Sequence, residues 1–183
     1  MHQEAKKFLS FVKTILPTYF INKKVLDVGS DNINNNNYLF EDCDYYGNYM
    51  EKTKDLPYEN IFDTIISSNY FEHDPDYHET LKKIYKMLKP NGLFCFTCAS
   101  NGHLEYLEKL DNNLIKYYYK NLTELDLKKA LKVKELFSSY DSYYNSSSKD
   151  LYFWGIKREI TIEPQYPIYK EEFVLQTTNV LKL

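Results

Sequence analysis

Apolar side chains recur near the amino terminus at the three-and-four spacing of a helix. In EAKKFLSFVKTIL, Phe8, Leu9, Val12, Ile15 and Leu16 fall on one face, and Pro17 ends the segment. The pattern predicts an amphipathic cover helix within residues 1–22. KKVLDVG then reads as a buried strand, and YLFEDCDYYGNYM contains a short second one about Tyr45 to Tyr49. NIFDTIISSN gives a third, in which apolar Phe62, Ile65 and Ile66 yield to polar Ser67, Ser68 and Asn69.

HDPDYHETLKKIYKMLKPNG reads as a helix with acids in its first turn and lysines late. Leu81, Ile84, Tyr85 and Leu88 share one face, and Pro90 and Gly92 serve as the stop. The strand LFCFTCA follows at once, and strand, helix, strand with so short a turn demands parallel pairing. LTELDLKKALKVKELF predicts one further helix, with Thr123 as N-cap and Asp126 completing a capping box. SYDSYYNSSSKDLYFWGIKR predicts an antiparallel hairpin about its polar turn, and the tail from residue 159 reads as an extended extension.

Composition narrows the classes. A chain of 183 residues that is 43% hydrophobic suits one packed domain. A net charge of −3 gives no electrostatic case for nucleic acid. Cys43, Cys95 and Cys98 are too few for a disulfide scaffold and read as thiols in a reducing compartment. No apolar run approaches the roughly 20 residues of a membrane span, so a soluble, cytoplasmic protein is expected. No His, Cys or carboxylate spacing suggests a metal site.

The chemistry gathers at strand ends. In VLDVGSDNINNNNYLF a carboxylate, Asp27, closes the first strand, and Gly29 follows where the backbone must turn. No second glycine comes. VLDVGS, FDTIISSNYFEHDPD, LKKIYKMLKPNGLFCFT and DLYFWGIKR together resemble the small class I S-adenosylmethionine-dependent methyltransferases, in particular a group with an EHDPD segment of which several act on sugars or glycolipids. The resemblance implies an α/β, Rossmann-like methyltransferase sandwich over residues 1–158, mostly parallel, with a C-terminal antiparallel hairpin. Only Met50 to Asp55 separate GNY from LPY, so the second-helix and third-strand region is expected to be trimmed.

The resemblance implies S-adenosyl-L-methionine as cofactor, with Asp27, Gly29 and Ser30 near its methionine end. Asp31 stands where a second glycine is usual, and Ile33 where the third is. Tyr49 occupies the place of the ribose-binding acid, Asp55 is placed to meet the adenine amino group, and Ser67, Asn69 and Glu72, at the third strand's end, complete the implied cofactor site. His73 falls where some sugar-methylating relatives carry a catalytic histidine, with Asp74 to orient it or act itself. The plainer readings are a histidine satisfying local hydrogen bonds, and Asp74 and Asp76 capping a helix.

His103 and Tyr117 to Tyr119 are candidates for the acceptor pocket and its lid, against surface and packing roles; Trp154 reads as core or interface. The implied reaction is O-methylation of a small hydroxylated acceptor, a sugar hydroxyl in glycan assembly. A cofactor-deficient scaffold is the alternative, and apolar surface on the hairpin would suit a homodimer.

Overall fold

The computed structural model describes residues 3–30, 35–47, 59–109 and 115–159. Helix α1 (Gln3–Ile15) precedes the strands β1 (Lys24–Val28), β2 (Asp44–Gly47) and β3 (Phe62–Ser68). Helix α2 (Tyr77–Met87) then runs straight into β4 (Leu88–Ala99). A ribbon of β5 (Tyr106–Lys109) and β6 (Ile115–Tyr119) leads to the short helices α3 (Glu124–Ala130) and α4 (Val133–Leu136). The strands β7 (Phe137–Asn145) and β8 (Asp150–Lys157) follow.

Among the described residues the main sheet has six strands in the order β2-β1-β3-β4-β8-β7, and β5 pairs with β6 in a separate two-stranded sheet. Pairing is parallel from β2 to β4 and antiparallel between β4 and β8 and between β7 and β8. This is the Rossmann-like arrangement that the resemblance implies, with the parallel pairing and C-terminal hairpin that the strand pattern predicts. The chain steps from β1 outward to β2 and then back across to β3, so its direction reverses at β1 and opens a crevice at the carboxyl ends of β1 and β3. β2 is the outer strand on that side among the described residues. The expected trimming falls between β2 and β3, where residues 48–58 lie outside the described residues, as does nearly all of the 159–183 extension.

Side chains of alternate parity leave the sheet on opposite faces. One face packs Phe8, Leu9 and Val12 of α1 on Ile66, Leu93, Cys95 and Tyr152. The other packs Leu81, Ile84 and Met87 of α2 and Leu127 and Ala130 of α3 on Leu26, Ile65, Phe94, Phe96 and Phe153. Cys95 and Cys98 are buried free thiols, and Cys43 is a partly buried one. Leu151, Tyr152 and Phe153 on β8 are covered within the chain, whereas Tyr143 and Tyr144 on β7 are exposed.

Several boundaries differ from the sequence expectation. Ile15 is 42% exposed, because Pro17 turns the chain into a short 3-10 turn and Phe20 takes the core position instead. Helix α2 begins at Tyr77 and ends at Met87: Leu88 is already extended, and LKPNG opens β4 rather than stopping the helix. The register shifts there between Phe62 and Thr64, as proline in a strand requires. Gly92 has little choice of residue, since a Cβ would lie 2.8 Å from the Lys89 carbonyl oxygen and 3.0 Å from that of Asp63. The expected single helix after Thr123 is two, because Leu131 takes an extended conformation that buries its side chain. The Thr123–Asp126 capping box forms as expected.

Lys157 fastens the end of α2 to the sheet. It is 6% exposed, and its Nζ donates to Asn60 Oδ1 at 3.0 Å, Tyr85 O at 2.9 Å and Leu88 O at 2.6 Å. These carbonyls sit at the negative end of the helix dipole, where a cation belongs. Lys157→Met fills the volume but leaves the carbonyls unsatisfied, and urea denaturation should show a loss of about 1–3 kcal/mol. A variant as stable as the parent would mean that water replaces the ammonium at no cost.

Candidate active site

Asp27 stands near the carboxyl end of β1, beside Ile66 of β3, and is 1% exposed. Its Oδ2 accepts from the Asn36 backbone N–H at 3.0 Å, from Asn36 Nδ2 at 3.0 Å and from the Tyr45 hydroxyl. Its Oδ1 is buried with no partner, as is Asn36 Oδ1. Burial pushes the Asp27 carboxyl up to about 6, against the lowering pull of the bonds from Tyr45 and Asn36. Burial and the Asp27 charge raise the Tyr45 phenol well above its ordinary value, so it stays a donor. Asn36 Nδ2 also reaches Ser68 Oγ at 3.3 Å, which ties the loop after β1 to the end of β3.

Gly29 has φ +76, and a Cβ there would lie 2.3 Å from Tyr70 Cδ2. The glycine therefore makes room for a protein ring. Ser30 is buried, and its hydroxyl donates to the Asp27 carbonyl at 3.0 Å, tightening the turn. Ser67 is also buried and donates to Val28 O at 3.1 Å, bracing β3 against β1. Asp31, Tyr49 and Asp55 lie outside the described residues.

The second half of the site follows β3. Asn69 takes a left-handed φ of 52, tolerable for asparagine, and its N–H donates to Thr97 O at 2.8 Å. Phe71 then buries fully against Phe96, their ring centroids 5.0 Å apart, and this anchors the turn Phe71–His73. Glu72 is 2% exposed, with its Oε2 buried and unpartnered. Burial pushes its carboxyl up to about 7; hydrogen bonds from its own backbone, the Asn69 side chain and the Ala99 backbone oppose this, and the Asp150 charge adds to it.

His73 is exposed, its ring edge-on to Tyr119 at a centroid distance of 5.0 Å. Asp74 Oδ1 accepts from the Asp76 N–H at 2.9 Å, bracing the entry to α2, and its Oδ2 is buried without a partner. His103 is half-buried, with Nε2 3.2 Å from Ser148 O and 3.6 Å from Asp150 Oδ1, and lies on the other side of Tyr119 at 6.3 Å. Trp154, half-buried on β8, packs with the α1-side core.

The structure thus brings Asp27, Gly29, Ser30, Ser67, Asn69, Glu72 and His73 to one end of the sheet. The sequence reading did not single out Asn36, Tyr45, Tyr70 or Asp150. A run of asparagines after a strand-end acid was the one available sign of Asn36. Among the described residues, no group of three or more His, Cys, Asp or Glu could hold a metal ion, and no helix is long and apolar enough to cross a membrane.

Residues 1–134 match the family model described as a methyltransferase domain. The chain belongs to the methyltransferase domain family. A stretch of 69 residues, 37% of this chain, is 33% identical to phosphoethanolamine N-methyltransferase 2 of Caenorhabditis elegans, of which it covers 16%. Another of 56 residues, 31% of the chain, is 32% identical to a malonyl-[acyl-carrier protein] O-methyltransferase of Calditerrivibrio nitroreducens, covering 23% of it. The chain thus spans less than a quarter of either curated relative. In fold it is similar to 1,6-didemethyltoxoflavin-N1-methyltransferase of Burkholderia thailandensis, solved with 1,6-didemethyltoxoflavin and S-adenosylhomocysteine: TM-score 0.56, 16% identity, 86% of this chain and 78% of that one. It is also similar to phosphoethanolamine N-methyltransferase 2 of Haemonchus contortus, solved with S-adenosyl-L-methionine: TM-score 0.54, 14% identity, 84% of this chain and 52% of that one.

The contact between Gly29 and Tyr70 is testable. Gly29→Ala combines a left-handed alanine with a steric clash and should cost about 2 kcal/mol or more. In a double-mutant cycle with Tyr70→Ala, the steric share should be recovered as a coupling of about 1 kcal/mol or more. Strict additivity in urea denaturation would show that the ring is not the obstacle.

Proposed function

We propose that this methyltransferase-domain chain transfers a methyl group from S-adenosyl-L-methionine to a small hydroxylated acceptor at the carboxyl ends of β1, β3 and β4. The observation that carries the reading is the pair of unpartnered buried oxygens, Asp27 Oδ1 and Asn36 Oδ1, at the point where the sheet order reverses. Two such acceptors, one of them an oxygen of the buried carboxylate itself, fit the ammonium of the cofactor's methionine end. When bound, the cofactor supplies an electrophilic methyl group. The protein's part is to hold the acceptor oxygen in line and remove its proton.

His73 is the residue we place at that proton, on the exposed turn after β3 with Tyr119 against its ring. The acceptor class, a sugar hydroxyl in glycan assembly, is supported by the likeness of the EHDPD segment to sugar-methylating relatives. The relatives' own names span N- and O-methyl transfer. A second reading, a domain that no longer binds cofactor, is favoured by the Tyr70 ring beside Gly29, where close approach of a ligand to the backbone is expected. Calorimetric titration with S-adenosylhomocysteine separates the two, since a chain without cofactor binding gives no heat.

The Asp27 shift sets the pH dependence of that titration. Its pKa in the unliganded fold is raised to about 6, chiefly by burial, so the carboxyl is neutral below that value. An ammonium bound against it favours the ionised form. Affinity should be full well above pH 6 and weaken as pH falls through 6, approaching tenfold per unit, and Asp27→Asn should flatten the profile. Stability without ligand runs the other way: the Asp27 contribution is present below the ordinary carboxyl value and is lost as pH rises through about 6. An affinity independent of pH across this range would remove Asp27 from the cofactor site.

If His73 takes the acceptor proton, His73→Ala should keep S-adenosylhomocysteine affinity but slow turnover by roughly 10²- to 10⁴-fold. Asp74→Asn should lower the melting temperature and leave the pH profile of turnover unmoved. Unchanged turnover in His73→Ala would reject the assignment.

A further inference from the structure

Helix α1 does not cover the whole of the sheet face on which it lies. Phe8 stacks on Tyr152 at a ring-centroid distance of 4.7 Å and meets Tyr143 edge-on at 6.2 Å, so the flank of α1 that carries Phe8 looks toward β8 and β7. Phe11 and Ile15 continue that flank at helical spacing. The opposite flank is polar: Lys6 lies over the Tyr38 ring, and Lys13 pairs with Glu41 at 2.7 Å. Alternation along β8 puts Trp154 and Ile156 on the same sheet face as Tyr152, and Tyr143 stands opposite Tyr152 on β7.

A trough therefore runs between α1 and the β7–β8 hairpin, and its walls are apolar. Phe11 is 51%, Ile15 42% and Tyr143 40% exposed, while Trp154 and Ile156 are half-buried. A single water-facing apolar side chain is ordinary, but a row of them along one trough marks a surface that another segment covers. The foot of the trough lies at the amino ends of the strands, since α1 leads through Phe20 into β1 and Ile156 pairs with Leu93 in the first half of β4.

The chain returns to that foot just before residues 160–169. β8 ends at Lys157, the Arg158 N–H donates to Leu136 O at 2.8 Å, and Glu159 Oε2 accepts from Asn91 Nδ2 at 3.1 Å, beside the start of β4. The residues that follow read ITIEPQYPIY. Ile160, Ile162, Pro164, Tyr166 and Ile168 alternate with Thr161, Glu163, Gln165 and Pro167, the period of an extended segment with one apolar side. Pro164 and Pro167 bring no N–H, so side-chain packing rather than a strand ladder suits this segment. Extended, Ile160 to Ile168 reaches about 30 Å, and Ile156 to Tyr152 spans only about 13 Å, which leaves length for a reversal.

We propose that residues 160–169 turn back at the foot of the trough and lie along it as an extended strap, with their apolar side against Phe11, Ile15, Trp154 and Ile156. A segment tethered at the foot acts at an effective concentration of about a millimolar, which favours it over a free second copy of the chain. The strap binds α1 to the hairpin and leaves the crevice at the carboxyl ends of β1 and β3 clear.

Trp154 is the single tryptophan of the chain, so its fluorescence reports on the trough directly. In the full chain, Ile162→Asp combined with Ile168→Asp should shift the emission to the red and raise the acrylamide quenching constant about twofold or more as the ring loses its cover, with the far-UV circular dichroism unchanged. Hydrogen exchange of the unaltered chain gives a second reading that does not depend on the variant's folding: the amides of Ile160 to Glu163 should exchange about tenfold or more slowly than those of a free peptide of the same sequence. Equal quenching in parent and folded variant, or exchange at the free-peptide rate, overturns the proposal. So does protection of Trp154 that grows with protein concentration alongside a dimer in light scattering, which would put a second copy in the trough.

Discussion

A carboxylate taken out of water at the end of β1 makes strong demands on whatever surrounds it. Asp27 meets them with donors from the loop that follows β1 and from β2: the backbone and side chain of Asn36, and the Tyr45 hydroxyl. Because Asn36 also reaches Ser68, the same few bonds set where the end of β3 stands relative to β1. One oxygen of the carboxylate is thereby saturated and the other is left buried without a donor. The cost of the unpaired oxygen is tolerable only in a fold held firmly elsewhere, and the apolar layers on both sheet faces provide that support.

The turn after β3 repeats the arrangement with different parts. Phe71 is driven into the core by its apolar ring, and this fixes the residue after it, Glu72, at a buried position that its chemistry alone would not choose. Asn69 supplies the backbone kink and the bond to β4 that make the turn possible. Both acids of the site are thus positioned by neighbours whose preferences are plain: asparagine for capping and left-handed geometry, phenylalanine for the core.

Much of this architecture was legible along the chain. Alternating and continuous apolar runs marked all six strands of the main sheet, and Thr123 with Asp126 announced a capping box that forms as read. Boundaries were less legible where tertiary packing overrode local signals. Leu88 is a good helix residue by pattern, yet it joins β4; Leu131 breaks a helix that propensity alone would continue. In the site, Asp27, Gly29 and Glu72 stood out because their spacing follows strand ends. Asn36, Tyr45 and Asp150 did not, because what makes them matter is a meeting of segments distant in sequence. Tyr70 was hidden for a further reason: nothing in the letters tells whether a glycine makes way for a ligand or for a side chain.

Among the described residues, the ribbon of β5 and β6 pairs within itself and forms no ladder with the main sheet. It joins the rest of the molecule beside the turn after β3, through backbone bonds just beyond its second strand, at Lys120 and Leu122. In evolutionary terms the chain therefore has two parts under different constraints. Insertions, deletions and changes of sequence in the ribbon leave the register of the six strands untouched, whereas the same changes in β1 or β3 shift every paired neighbour. A lineage can in this way retain one sheet while replacing the ribbon beside it, and proteins with similar sheets can come to differ in the surface at one end.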